Sequence, residues 1–175
     1  RMEGDFLTYD DGTVQGHLGV DVSQFQGEID WEQAADAGVE FAIVRVGGRG
    51  YTEGKLYEDT YFDRNVQGAL DAGLAVGAYF FSQAITVEEA LEEAQFVLER
   101  VRDYDLTMPA VFDWEMVSDS SARTNAIDSD TMNEVALAFC GAIQEAGYES
   151  MIYFNSYQGY VKYDLSKLLD HSFWF

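Results

Sequence analysis

Cysteine and histidine are scarce in this sequence, and each scarcity excludes a class of protein. The single cysteine, Cys140, cannot form an internal disulfide, so a disulfide scaffold is excluded. The two histidines, His17 and His171, lack a metal-ligand or nucleophile partner at a suitable spacing, which argues against a peptidase. No apolar run is long enough to span a bilayer, so we expect no membrane span.

Basic residues are also few. Ten Lys and Arg stand against 32 Asp and Glu, which gives a formal net charge of -22. A field of that sign repels phosphate backbones, so we expect no nucleic-acid partner. Because 47% of the 175 residues are hydrophobic, the chain can bury a core, and its length suits one domain.

A helix–glycine–strand unit repeats along the chain. Each glycine stands where a helix would end in a left-handed residue, and each apolar run that follows has the composition of a buried strand. Such a repeat is typical of a parallel sheet. The three glycines are Gly38, Gly73 and Gly147.

Two long helices are predicted between strands. One begins at a capping-box pattern, Thr86 with Glu89, and runs to about Arg102 with Leu91 on its apolar face. The other covers about 129–146 and places Cys140 on its apolar stripe, which indicates a buried thiol.

The number of strands limits the architecture. We predict an α/β fold, a TIM-like β/α barrel truncated after about the sixth strand, because a closed barrel of this type has eight. An open sheet is the alternative. Residues 1–16 are interpreted as an N-terminal tail or leader, and 17–175 as the catalytic barrel domain without its C-terminal strands. The predicted strands cover about 18–23, 41–47, 75–82, 109–115, 151–155 and 172–175.

The strand over 109–115 carries the most informative pair of residues. Because side chains alternate along a strand, Asp113 and Glu115 share one face while Phe112 and Trp114 take the other, under the helices. Two adjacent buried carboxylates repel each other, and glycoside hydrolysis is a chemistry that uses such a pair. An Asp-x-Glu exposed by chance in a loop is the alternative. A metal site is disfavoured, because no binding-loop spacing of Asp or Asn accompanies the pair.

Further residues are candidates for the same cleft. Asp21 lies within the otherwise apolar first strand and points to the barrel axis, unless it is a buried structural aspartate. Tyr79, Tyr153 and Asn155 lie on the third and fifth strands, where they contact substrate or pack in the wall.

Several short motifs, in order and suitably spaced, resemble the family 25 glycoside hydrolases, the muramidases also called Chalaropsis-type lysozymes. The resemblance covers nearly everything from His17 onward. The family's last strands, with a tryptophan-bearing segment and a late aspartate, have no counterpart here. The motifs are GVDVSQFQG at 19–27, IDW at 29–31, FAIVRV at 41–46, GAYFF at 77–81, MPAVFDWE at 108–115 and IYFN at 152–155.

This resemblance implies hydrolysis of the β-1,4 bond between N-acetylmuramic acid and N-acetylglucosamine in bacterial peptidoglycan, without a cofactor or metal. It implies that Glu115 is the proton donor, and that Asp113 either stabilises developing positive charge or orients the substrate's acetamido group. Asp21 would complete the acidic floor of the cleft. We expect a monomer that is extracellular or associated with the cell wall.

Two other functions are compatible with a barrel. A non-catalytic barrel that binds cell-wall polysaccharide is the main alternative, although a pure binder has no need of paired acids. A chitinase-like barrel also ends its fourth strand in Asp-x-Glu. That family has aspartates two and five positions before the Asp113 position, where Val111 and Met108 stand here, so we disfavour it.

Overall fold

The computed structural model describes residues 2–3, 6–7 and 12–175. The predicted tail over 1–16 therefore lies partly outside the described residues. Within it, strands β1 (Met2–Glu3) and β2 (Phe6–Leu7) form a short antiparallel pair.

The main sheet consists of six parallel strands that follow one another in chain order and curl into half a barrel. All six predicted strands are confirmed, and so is the truncated TIM-like architecture. One short strand, β5, was not predicted and pairs antiparallel with β4. The strands are β3 (Gly19–Val22), β4 (Phe41–Arg49), β5 (Leu56–Glu58), β6 (Ala75–Ser82), β7 (Ala110–Trp114), β8 (Ser150–Tyr153) and β9 (Ser172–Trp174).

Helices connect the strands. The predicted glycines follow three of these helices with φ of 96° at Gly38, 78° at Gly73 and 92° at Gly147, a region that L side chains rarely adopt. The helices are α1 (Trp31–Asp36), α2 (Phe62–Asp71), α3 (Val87–Val101), α4 (Ser129–Glu145) and α5 (Ser156–Val161), with 3-10 helices at Gln24–Gln26, Arg123–Ala126 and Leu165–Lys167.

The core lies between the outer face of the sheet and helices α2, α3 and α4. Phe112 and Trp114 are fully buried there, and the Phe112 ring lies 5.3 Å from that of Phe139 on α4. Burying each such side chain contributes about 1.5–3 kcal/mol. The predicted orientation of β7 is confirmed, because its aromatics face the helices and Asp113 faces the other way. Cys140 is buried and unbridged, and burial raises the pKa of its thiol to about 12.

Helix α3 does not bury the whole apolar face that was predicted for it. Leu91 is 45% exposed, whereas Glu93 is fully buried. Arg49, at the end of β4, accounts for the difference, because its Nε donates to the Glu93 carboxylate at 2.7 Å and holds that side of α3 against the sheet.

None of the helices in the described part of the chain combines the length and the apolar character that crossing a membrane requires.

Candidate active site

The inner face of the half barrel carries a cavity of about 120 Å³ that opens to solvent. Its position is that of active sites in barrel enzymes, at the carboxyl ends of the parallel strands. Five of the six residues predicted for the cleft line it, together with one tryptophan. These residues, which we call the acid cleft, are Asp21, Tyr79, Asp113, Glu115, Tyr153 and Trp174.

Asp113 and Glu115 face this cavity from the same strand end. Asp113 is the penultimate residue of β7 and only 6% exposed, while Glu115 follows the strand directly and is half-buried. Burial and the charges of Glu115 and Asp21 hold the pKa of Asp113 well above its usual range, although Arg45 lowers it. Burial and the Asp21 charge also raise the pKa of Glu115. Both carboxyls therefore keep their protons to higher pH than free acids do.

One oxygen of Asp113, Oδ1, is buried and has no hydrogen-bond partner. Several other buried polar atoms of the described residues also lack a partner, but Asp113 is the residue among them that lines the open cavity. Leaving a buried polar atom unpaired costs about 1–3 kcal/mol, and a polar group of a ligand in the cavity could recover that hydrogen bond.

Asp21 is exposed, so the alternative of a buried structural aspartate is wrong. It lies on β3 at the opposite side of the cavity from β8 and β9. Its charge contributes to the raised pKa of both Asp113 and Glu115, which means that the three acids act on one another electrostatically.

These three acids have no ion-pair partner in the main part of the chain that the structure describes. Among residues 12–175, no lysine, arginine or histidine forms an ion pair with Asp21, Asp113 or Glu115. Arg45 acts on Asp113 electrostatically, but its own ion pair is with buried Asp59, at 2.6 Å between Nη2 and Oδ2.

Aromatic side chains form part of the cavity wall. Tyr79 and Tyr153 are half-buried, and burial raises the pKa of both hydroxyls, so both remain neutral. Tyr153 pairs in register with Asp113 on one side and with Trp174 on the other. The rings of Tyr153 and Trp174 meet edge to face at 5.1 Å.

Trp174 was not predicted as a site residue, although its strand was. The alternation of side chains along a strand could have predicted its position. Phe173 packs on Phe154 at 5.2 Å in the outer layer, so the next residue, Trp174, points to the opposite face and into the cavity.

Asn155 differs from its predicted position. Strand β8 ends at Tyr153, so Asn155 lies beyond it, where its Oδ1 caps α5 by accepting from the backbone of Gln158 at 3.0 Å. It is exposed and does not line the cavity. Its role in substrate binding stays a prediction.

The acid cleft does not have the arrangement of a metal centre. Across the described residues, no group of three or more His, Cys, Asp and Glu side chains lies close enough together to hold a metal ion.

A curled parallel sheet with outer helices, and an acid pair at the carboxyl end of its fourth strand, defines a β/α-barrel protein of the glycoside-hydrolase type. Comparison with known families agrees. The model of the glycosyl hydrolases family 25 matches residues 20–175, and the chain belongs to this family.

Individual relatives extend the comparison. Lysozyme M1 of Streptomyces globisporus is 39% identical over 70 residues, which cover 40% of this chain and 22% of that protein. The modular autolysin LytC of Streptococcus pneumoniae, also solved with a synthetic peptidoglycan ligand, superposes with a TM-score of 0.75 and 25% identity over 87% of this chain and 36% of its own. A family 25 glycosyl hydrolase of Bacillus anthracis gives a TM-score of 0.75 at 22% identity, over 91% of this chain and 69% of its own. The chain thus spans well under half of the first two proteins.

Proposed function

We propose that this chain carries the catalytic cleft of a muramidase, which hydrolyses the β-1,4 bond between N-acetylmuramic acid and N-acetylglucosamine in peptidoglycan. The observation that carries the proposal is that Asp113 and Glu115 face one open cavity from the same strand end. Glycoside hydrolysis uses two carboxyls at the scissile bond. One is protonated to donate to the leaving oxygen, and the other acts on the oxocarbenium-like centre.

Glu115 is the proton donor in this proposal. A general acid must hold its proton near the working pH and must reach the substrate. Burial and the Asp21 charge raise the pKa of Glu115, while half-burial leaves its carboxyl accessible from the cavity. Asp113 fits this role less well because it is almost completely buried.

Asp113 has a different role in this proposal: it orients the acetamido group of the bound substrate. Its unpartnered Oδ1 would recover a hydrogen bond when the substrate's acetamido group binds, which supports the orienting role over direct charge stabilisation. In that role the Asp113 oxygen would accept from the acetamido N–H, which leaves the acetamido oxygen free to attack the sugar carbon.

The aromatic wall supports a sugar ligand. Tyr153 and Trp174 stand side by side next to Asp113, and their ring faces suit the apolar faces of pyranose rings. Tyr79 adds a neutral hydroxyl to the same cavity.

The relatives support peptidoglycan as the substrate, since they include a lysozyme and an autolysin solved with a peptidoglycan ligand. We place the protein outside the cell or at the cell wall, acting as a monomer without a cofactor. The formal net charge of -22 suits solubility in such a setting.

The test is to digest purified peptidoglycan with the full-length protein, reduce the products and identify the new terminal sugar by mass spectrometry. We expect N-acetylmuramic acid at every new reducing end. New ends that carry N-acetylglucosamine would contradict the proposed bond. Tight binding without release of reducing ends would instead identify a non-catalytic wall-binding barrel.

A further inference from the structure

Gln83 is a buried side chain whose hydrogen bonds converge next to the acid cleft. It follows β6 directly and is fully buried. Its Nε2 donates to the carbonyl oxygens of Ser82 and Glu115, both at 2.9 Å, and its Oε1 accepts from the Thr124 hydroxyl at 2.8 Å. A buried amide bonded at both ends is a fixed cross-link.

The cross-link lies next to the last paired residues of strands β6 and β7. The pairing of β6 with β7 ends at Ser82 and Trp114, and the pairing of β7 with β8 ends at Asp113 and Tyr153. Glu115 is one residue beyond the last paired position. Its carbonyl oxygen accepts from the Gln83 amide there.

The Glu115 carboxyl depends on this backbone contact for its direction. Among residues 15–175, no hydrogen bond to that carboxyl is described, and burial and the Asp21 charge account for its raised pKa. Its aim into the cavity therefore depends on the backbone from which it projects, and the Gln83 side chain donates to the carbonyl oxygen of that backbone.

The far end of the cross-link is itself anchored. Thr124 is 2% exposed and lies on the 3-10 helix Arg123–Ala126. The neighbouring Arg123 donates to the Glu89 carboxylate of α3 at 2.6 Å. Gln83 therefore connects the backbone of Glu115 to the 3-10 helix Arg123–Ala126, which is itself paired with α3.

We propose that Gln83 is a positioning residue for the proton donor: it aims the Glu115 carboxyl by holding its carbonyl oxygen. This inference rests on the proposed glycosidase function. Misplacing an acid by about 1 Å can cost about 100-fold in rate, because the proton must be transferred along a defined line. Ground-state binding of the polysaccharide does not need that alignment.

The test compares Gln83→Met, which keeps the size of the side chain and removes its hydrogen bonds, with Asn133→Leu. Asn133 is also a buried amide, 1% exposed, but it lies on α4 and donates to the Asp164 carbonyl at 3.3 Å, away from the cleft. For Gln83→Met we expect kcat on peptidoglycan to fall about 10–100-fold with KM unchanged. Asn133→Leu should leave both constants unchanged.

Thr124→Val, which removes the hydrogen bond to the Gln83 Oε1, should give a smaller loss of the same kind and serves if Gln83→Met fails to fold.

A double-mutant cycle separates positioning from general structural damage. In a Glu115→Gln background, Gln83→Met should cause no further loss of kcat, because no proton donor remains to be aimed. An equal fold-loss in both backgrounds, or a rise in KM without a fall in kcat, would overturn the role of Gln83 while leaving the glycosidase proposal intact. A wild-type protein that releases no reducing ends from peptidoglycan would instead contradict the proposed function.

Discussion

Glu93 and Asp113 are both almost inaccessible to solvent and both lie beside the parallel sheet, yet their surroundings are opposite. The Glu93 carboxylate accepts from Arg49 at 2.7 Å, and the same guanidinium donates to the carbonyls of Gly54 and Glu89. The Asp113 carboxyl forms no ion pair with any residue of 12–175, whereas each of the two carboxyls has one buried oxygen without a hydrogen-bond partner, Oδ1 of Asp113 and Oε2 of Glu93. Burial raises the pKa of both acids, to about 7 for Glu93, although Ser82 and Arg49 lower it there.

The contrast separates an acid that pairs with arginine in the structure from acids that line the open cavity. Glu93 belongs to an arginine cluster (Arg49, Glu89, Glu92, Glu93 and Arg123) that fastens α3 and the 3-10 helix Arg123–Ala126 to the end of β4. In the acid cleft, none of the three acids forms an ion pair with a residue of 12–175, and the cavity that they line opens to solvent. Unpaired acids with raised pKa values are a feature of functional sites, whereas paired ones secure the architecture.

Breaking the arginine cluster should produce the largest change in stability. Arg49→Met leaves Glu93 buried without its guanidinium, which should cost about 3–5 kcal/mol at pH 8. The loss should be smaller at pH 5, because Glu93, with a pKa of about 7, is then protonated in the wild type as well, and only the guanidinium hydrogen bonds are lost. Chemical denaturation at both pH values measures the difference.

Lys55→Met is the matched control for this change. Lys55 pairs with Glu53 at 3.0 Å in the neighbouring loop, but both side chains are exposed. Exposed pairs contribute little, so this variant should unfold like the wild type. An Arg49→Met protein as stable as the Lys55→Met protein at pH 8 would show that the arginine cluster does not secure the fold.

Removing the charge of Asp113 should increase the stability of the protein, by less than Arg49→Met decreases it. Asp113→Asn should stabilise the protein by about 1 kcal/mol at pH 8, or about 2–4 °C in the unfolding midpoint, because an unpaired buried carboxylate no longer forms. Thermal unfolding followed by circular dichroism is the measurement.

The pH dependence of the Asp113→Asn effect has a definite sign. The fold raises the pKa of Asp113, so ionising it destabilises the folded state at pH values above that pKa and has no effect below the pKa of the unfolded chain. The gain should therefore disappear near pH 4. A variant that is less stable than the wild type at pH 8 would mean that Asp113 is paired like Glu93, and the contrast would fail.

Most of the fold could be predicted from the sequence because two local signals agree with the tertiary structure. The first signal is glycine at helix ends, because the positive φ there favours residues such as Gly38 and Gly73. The second is the apolar run after each glycine, which forms a strand of the sheet. The antiparallel strand β5 was missed, because Leu56–Glu58 is short and two of its three residues are exposed.

The acid cleft could be predicted only in part. Strand alternation brought Asp21, Asp113 and Glu115 to one side, and the structure agrees. Glu93 and Gln83 were missed, because polar residues are expected to be exposed unless a partner distant in sequence is known. Their partners Arg49 and Thr124 lie more than 40 positions away.

The most direct test of Glu115 as proton donor compares two substrates that differ only in the leaving group. With peptidoglycan, Glu115→Gln should lower turnover about 100- to 10,000-fold. With a dinitrophenyl β-glycoside of the N-acetylglucosaminyl–N-acetylmuramic acid disaccharide, the same variant should remain close to wild type, because that leaving group departs without a proton. Equal losses on the two substrates, or full activity of the variant on peptidoglycan, would contradict the assignment.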